Sequence, residues 1–359
     1  RFDHDPITRE SLGLMIEESR TNLINYSSEM NLWTKSNCNV TENAVTAPDG
    51  TLTAEKIALS GVSGYVLRAL TISSGSIHTY SVYMKKADNN FGMLRYRWNG
   101  SNYDTVNFDL ANGTTSRTPA GVSSTSIIDV GNGWYRCIVT FTPTSTANSN
   151  FQIRSSSEAQ TSSGSSYTGT IDGVRGVYAW GAQVEAGAFA TSYIPTSGGS
   201  AIRAADIAKI TGTNFTDFHN ATEGTLYGEY KATLINNAPY VVMLSDGTNN
   251  NRTIINSDYA SYQGVVKYNN GTNQAVLDGG TPTLGGNNKT TLAFKKDDFA
   301  LSLNGGTVAT DTSGDVSVNN MMTIGSRHGA DSFVNTTIKA IKYYNKRLPN
   351  AQLQGLTQQ

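Results

Sequence analysis

Apolar and polar residues alternate with a period of two in short runs along this whole chain, and glycine- and asparagine-rich turns cut the runs apart. Tyr80, Val82 and Met84 alternate with Ser81, Tyr83 and Lys85; Leu94, Tyr96 and Trp98 alternate with Met93, Arg95 and Arg97. Because successive side chains of a strand point to opposite faces, such runs read as strands with one face on a core. The punctuation agrees. Asn112-Gly113, Gly131-Asn132-Gly133, Asp246-Gly247, Asn270-Gly271 and Asn304-Gly305-Gly306 supply the positive φ angles that tight hairpins need. With 35 Gly and 18 Tyr and few helix formers, the fold class read here is all-β: two antiparallel β-sandwiches (jelly rolls) in tandem, with a short C-terminal helix.

At 359 residues the chain is too long for one ordinary sandwich and comfortable for two. A seam lies in YIPTSGGSAIRAADI, from Tyr193 to Ile207, where Pro195 and a Gly/Ser cluster separate two strand-rich blocks. The expected organisation is a lead-in segment over 1–24, a sandwich over 25–196, a linker over 197–220 and a second sandwich over 221–359. The closing helix is expected from about Pro349 to Leu356, with the proline in its first turn, where a missing N–H costs nothing.

Several function classes are disfavoured. The net charge is −1 and no long Lys/Arg run is present, so phosphate neutralisation has no obvious footing and no nucleic-acid partner is expected. The longest apolar runs, such as Tyr240 to Leu244, are far shorter than the roughly 20 residues of a spanning helix. No membrane insertion is expected. The opening RFDHDP has neither a basic start nor an apolar stretch and lacks an initiator Met, which reads as a piece or processed product of something longer. Cys38 and Cys137 stand far apart; Cys137 shares a strand face with Tyr135, Val139 and Phe141 and reads as a buried free thiol, with a bridge to Cys38 as the alternative.

The sequence carries no recognisable catalytic constellation. His4, His78, His219 and His328 are dispersed and show no metal-ligand spacing, so no metal site is expected. No nucleophile elbow occurs; Ser163-Gly164-Ser165 reads as a turn in a Ser-rich loop. Glu223 and Glu229 flank GTLYG, but six residues along one strand would put them roughly 20 Å apart, too wide for paired carboxylates in glycoside cleavage. The expectation is a protein that is not an enzyme and takes no cofactor. A structural calcium ion held by Asp, Asn and backbone oxygens stays open, although DGTNNN at Asp246 to Asn251 lacks the carboxylate pattern of an EF-hand loop.

What remains is binding. Sugar rings offer an apolar C–H face and a rim of hydroxyls, which suits an aromatic platform beside Asn, Asp, Arg or Gln. The run RYRWNGSNYD gives Arg95, Tyr96, Trp98 and Tyr103 as glycan-binding candidates, with Tyr96 and Trp98 on one face, a face that could equally be core. In the second block, Tyr259 and Tyr262 in DYASYQG and Arg327 and His328 in SRHGAD are the candidates. Trp33, Trp134 and Trp180 read as core.

Several strings resemble modules of bacteriophage tail fibres and related virion proteins: GLMIEESRTNLI, GNGWYRCIVTF, VYAWGAQVEAGAFATSYIPT and RAADIAKITG. The first block then looks like a carbohydrate-binding-module jelly roll. The second is similar to the concanavalin A-like lectin/laminin G superfamily, through EGTLYGEY, FALSLNGGTVA and an ending in which Tyr344, Asn345, Arg347, Leu348, Leu353 and Leu356 match a strand-to-helix motif. Pro349 departs from that motif, which often has Ser or Thr as the helix cap. The resemblance implies a virion fibre or receptor-binding protein that holds host surface polysaccharide, works as a homotrimer and acts outside the cell at host attachment. A second reading is a structural virion protein, a capsid decoration or fibre spacer, whose lectin-like surface docks other virion proteins. A third is a glycan depolymerase with its catalytic residues on separate strands.

Overall fold

The alternating runs become antiparallel strands in the computed structural model, which describes residues 1–99, 102–119, 121–160, 169–232, 239–257, 263–268 and 271–358. The chain divides into two units, Arg20–Arg203 on one side and Arg1–Ser19 with Ala204–Gln359 on the other.

In the unit Arg20–Arg203 the described strands form two six-stranded antiparallel sheets. One runs, in spatial order, Thr114–Arg117, Tyr103–Asp109, Phe91–Arg97, Ala147–Ser156, Tyr65–Ile72, Thr34–Ser36. The other runs Val122–Asp129, Trp134–Phe141, His78–Lys86, Gly176–Ala186, Ala54–Leu59, Cys38–Val45. The first sheet turns Leu94, Tyr96, Val106, Phe108, Phe151 and Ile153 inward, and the second meets them with Tyr80, Val82, Cys137, Val139, Phe141 and Val184 in one apolar cluster. Register explains the match: Leu94 lies opposite both Val106 and Ile153, and Tyr96 opposite Phe151, so one face of three neighbouring strands is apolar together. Each large side chain fully buried this way contributes about 1.5–3 kcal/mol. The two cysteines are free and buried, and burial drives the Cys137 thiol well above its ordinary range. Trp33, Trp134 and Trp180 are all buried, as expected.

The GAQVEAG string has a structural task here. The strand Gly176–Ala186 shifts register between Trp180 and Gln183, and Gly181, with φ of 62°, takes the bulge; a Cβ there would stand 3.0 Å from the Tyr83 ring. Beyond it, Gln183 Oε1 accepts the Ile194 N–H at 2.8 Å and Glu185 accepts the N–H and hydroxyl of Thr191 at 2.8 and 2.7 Å. Asn22 completes the arrangement, donating to the Ala182 and Ile194 carbonyls and accepting from Val184 N–H at 3.1 Å. Start and end of the unit are thus tied together, and Arg20–Asn22 pairs with Ala201–Arg203.

The other unit has a seven-stranded sheet among its described residues, ordered Phe2–His4, Ser11–Ile16, Thr336–Tyr344, Glu223–Lys231, Asn287–Lys295, Phe299–Leu303, Ala309–Asp311. A six-stranded sheet runs Ala208–Thr211, Met321–Ile324, Tyr240–Ser245, Arg252–Asn256, Gly264–Tyr268, Thr272–Leu277. Leu226, Tyr230, Leu292, Phe294 and Ile338 from the first join Val242, Leu244, Ile255 and Val266 from the second in a common core.

Three boundaries differ from the sequence reading. The lead-in over 1–24 is not one segment: Ser11–Ile16 pairs with Thr336–Tyr344 and buries Ile16, whereas Arg20–Asn22 belongs to the other unit. An apolar GLMI run beside an open strand edge gains both a hydrogen-bond ladder and burial. The linker over 197–220 is ordered too. Ala201–Arg203 and Ala208–Thr211 are strands, and the turn of helix Thr213–Thr216 buries Phe215. The C-terminal helix spans Asn350–Thr357, so Pro349 occupies the cap and not the first turn. Its carbonyl accepts the Gln352 and Leu353 N–H groups, at 2.9 and 3.1 Å, an end that needs no Ser or Thr. Before it, Arg347 N–H donates to Glu223 at 3.0 Å, its guanidinium pairs with Asp298 at 2.8 Å, and Leu353 is buried.

Candidate functional site

The outer face of the sheet that carries Phe91–Arg97 is chemically unlike its inner face. Alternation sends Arg95 and Arg97 outward, with Tyr103, Thr105 and Asn107 on one neighbouring strand and Asn150, Gln152 and Arg154 on the other. Arg117 lies opposite Asn107. Among the strand positions of this face stand four arginines, 95, 97, 117 and 154, and one carboxylate, Asp109. Asp109 is spent on its own turn, where it accepts the Ala111 and Asn112 N–H groups at 2.9 and 3.1 Å.

Arg95 and Arg154 are held by neutral groups. The Arg95 guanidinium lies 3.9 Å over the Tyr103 ring, and its Nη1 donates to Gln152 Oε1 at 3.2 Å. Asn150 Nδ2 donates to the Tyr103 hydroxyl at 2.8 Å, which fixes the ring. Arg154 Nε donates to the Gly64 carbonyl at 2.6 Å. Asn107 Nδ2 donates to the Gln160 carbonyl at 2.8 Å. Among the described residues, four buried polar atoms of this face have no hydrogen-bond partner: Arg95 Nε, Arg154 Nη2, Thr105 Oγ1 and Asn107 Oδ1. Thr105 is 2% exposed, Asn107 0%, Gln152 2% and Arg154 3%, whereas Arg95, Arg97 and Tyr103 are half-buried. Burial pushes the Arg154 pKa down to about 10, with neighbouring Arg95 adding to the effect, and burial lowers Arg95 as well. No carboxylate pairs with Arg95 or Arg154 among the described residues.

Energetically this is unusual for a stretch whose work is structural. A buried donor or acceptor without a partner costs roughly 1–3 kcal/mol, and a buried charge without a counter-charge costs more. Native interiors avoid such groups unless a water, ion or ligand completes them.

The residues singled out from the sequence divide sharply. Arg95 and Tyr103 lie on the outer face. Tyr96 does not: it is fully buried, its ring 4.2 Å from that of Phe141, and belongs to the core. Trp98 packs half-buried against the same core. The shared face of Tyr96 and Trp98 is therefore the inward one, because its neighbours Phe151 and Val106 are apolar. Tyr259 and Tyr262 lie outside the described residues. Arg327 is already engaged: its Nε donates to Asp331 Oδ1 at 2.5 Å, its Nη2 to Asp331 Oδ2, and the two residues also form an isolated backbone bridge. His328 holds the turn between them with φ of 55°, and burial lowers its pKa, with Arg252 and Lys209 adding to the effect. Arg327 and His328 thus close a turn. Arg154, Gln152 and Asn107 were not singled out, although FQIRSS carries a readable signal, with Gln152 and Arg154 alternating against Phe151 and Ile153.

Other chemistry is sparse. Glu223 receives the Arg347 N–H, and Glu229 accepts from Asn287 at 2.6 Å and Tyr227 at 3.1 Å. Asp246 is saturated within its own loop by Thr248 and Asn251. Among the described residues no three His, Cys, Asp or Glu side chains gather as metal ligands, and no helix is long and apolar enough to cross a membrane. A cleft of about 370 Å³ is lined by Glu29, Glu42, Asn43 and Glu55; burial, with Glu42 nearby, pushes the Glu55 carboxyl up to about 7.

No family model and no curated protein matches the chain. Solved structures give low similarity. The carbohydrate-binding module CBM40 of the Ruminococcus gnavus IT-sialidase, bound to alpha2,3 sialyllactose, is 18% identical at a TM-score of 0.35, over 42% of this chain and 96% of that one. The K499G mutant of the NanB sialidase from Streptococcus pneumoniae is 17% identical at 0.34, over 41% of this chain and 26% of that one. Domains LG4-5 of the mouse laminin alpha1 chain are 12% identical at 0.26, over 81% and 90%.

Proposed function

We propose that this chain is a non-catalytic glycan-binding protein of a phage fibre, and that it holds cell-surface polysaccharide on the outer, arginine-bearing face of the sheet in unit Arg20–Arg203. One observation carries the reading: buried polar atoms of Arg95, Thr105, Asn107 and Arg154 stand without partners beside a tyrosine fixed by Asn150. Sugar hydroxyls both donate and accept, so a saccharide can complete an Asn oxygen, a Thr hydroxyl and an Arg N–H at once. Tyr103 offers the aromatic surface on which a sugar ring packs. The fibre setting, the virion location and a homotrimeric state are parts of the same proposal.

The test is binding of the purified chain to a glycan array and to host envelope polysaccharide, with Tyr103→Ala beside the parent. The expected result is binding by the parent, weakened roughly tenfold in the variant, with no release of reducing sugar. Failure of the parent to bind either host cells or any glycan removes the receptor reading. Reducing-sugar release would make the protein a depolymerase. A light-scattering mass other than that of three chains removes the trimer.

A further inference from the structure

We propose that Arg95 and Arg154 form a carboxylate seat, so that the glycan held on this face is an acidic one, built with uronic or nonulosonic acid residues. The inference rests on the glycan-binding reading above and narrows its ligand. A neutral saccharide would complete the open hydrogen bonds but would leave two arginines uncompensated. The pair comes from adjacent strands. Arg95 lies opposite Gln152 and Met93 opposite Arg154, which makes the arginines diagonal neighbours on one face, at a spacing of roughly 7–8 Å between backbones. Their free atoms, Arg95 Nε and Arg154 Nη2, belong to different guanidinium groups, and a carboxylate has two oxygens to offer them.

The surroundings favour an anion over a neutral group. Arg95 is fixed on its face by Tyr103 and at one edge by Gln152, and Arg154 is fixed by the Gly64 carbonyl. Both are thus oriented without being neutralised. The ionisable groups that act on them are Tyr65, Tyr103 and Cys38, none of them a carboxylate, and each other. Asp109 is occupied in its turn. Asn107 and Thr105, buried alongside, supply an acceptor and a hydroxyl for the rest of the ring. A sugar acid combines these needs, with an anionic group for the arginines and hydroxyls for the neighbours.

The experiment is calorimetric titration of the full chain with polygalacturonate and polysialic acid, each beside its carboxyl-reduced form and beside neutral dextran. Arg95→Gln and Arg154→Gln are titrated in parallel after thermal unfolding has shown that they fold. The expected result is binding of at least one acidic polymer, weakened about tenfold or more by carboxyl reduction and by either substitution. The polymer that binds tells uronic from nonulosonic acid. Equal binding of an acidic polymer and its reduced form overturns the carboxylate seat while leaving glycan binding intact, as does binding of dextran alone. Acidic binding that survives both substitutions places the site elsewhere and also overturns it. No binding to any polymer, with no glycan bound on the array, overturns this inference and the reading beneath it together. The paired polymers need only the parent protein, so the result stands even if a variant does not fold.

Discussion

Both faces of the sheet that contains Phe91–Arg97 bury side chains, yet they are built on opposite terms. On the inner face Leu94, Val106, Phe108, Phe151 and Ile153 exclude water and make contacts that need no further partner. On the outer face Thr105, Asn107, Gln152 and Arg154 are as deeply covered but bring hydrogen-bonding groups that stay partly unmet. Burial therefore does not separate core from site in this protein. Satisfaction does: an apolar side chain is finished once covered, whereas a covered arginine still requires something.

The sharpest way to break the comparison is to empty each face in turn. Tyr96→Ala on the inner face is expected to cost about 3–5 kcal/mol in urea unfolding, the loss of a large ring from a packed core. Arg154→Met on the outer face is expected to stay within about 1 kcal/mol of the parent, because it removes a poorly compensated charge as well as a contact. A loss at Arg154→Met as large as at Tyr96→Ala would make the outer face a structural network and end the distinction.

Glu55 in the same unit can serve as a titratable counterpart. Its folded pKa, about 7, lies above the ordinary 4.5, so the fold favours the neutral carboxyl. The contribution is present below about pH 4.5 and is lost as pH rises towards 7. Stability should accordingly fall between pH 4.5 and 7 by an amount of the order of 2 kcal/mol, and Glu55→Gln should flatten that slope. A slope unchanged in the variant would assign the pH dependence to another group.

The inner face contains polar groups of its own, among them the Tyr96 hydroxyl, which is buried without a partner among the described residues. Tyr96→Phe is expected to be neutral or to stabilise by up to about 1 kcal/mol. A loss of more than that would show that a water completes the hydroxyl. The smallest effect is expected at the Arg327–Asp331 pair, a surface turn in which the arginine is satisfied by its own neighbour. Asp331→Asn should change stability by less than about 1 kcal/mol and leave glycan binding untouched. Lost binding there would move recognition into the other unit.

The sequence conveyed the strands well and the identity of their faces poorly. Period two in RYRWNGSNYD separates Arg95 and Arg97 from Tyr96 and Trp98 without ambiguity. It cannot say which set points inward, because that is decided by Phe151 and Val106 on neighbouring strands, brought alongside only by folding. The same limit hid Arg154, whose meaning comes from Arg95 fifty-nine positions earlier. It hid the role of Ser11–Ile16 too, since the ladder partner of Leu14 is Ile338. The hairpins and the closing helix were legible because their determinants are local, as with Asn304-Gly305-Gly306 and the leucines after Pro349. Arg327 could have been discounted from its sequence alone, since its partner stands four residues on.

The pairing of Ser11–Ile16 with Thr336–Tyr344 also sets an order of events during synthesis. Ser11–Ile16 leaves the ribosome more than three hundred residues before its partner strand. At cellular elongation rates that is a wait of tens of seconds, roughly. Arg20–Arg203, whose end strands pair with each other, is complete long before then. Arg20–Arg203 is thus expected to fold first, while the apolar strand Ser11–Ile16 waits uncovered for Thr336–Tyr344 to be made.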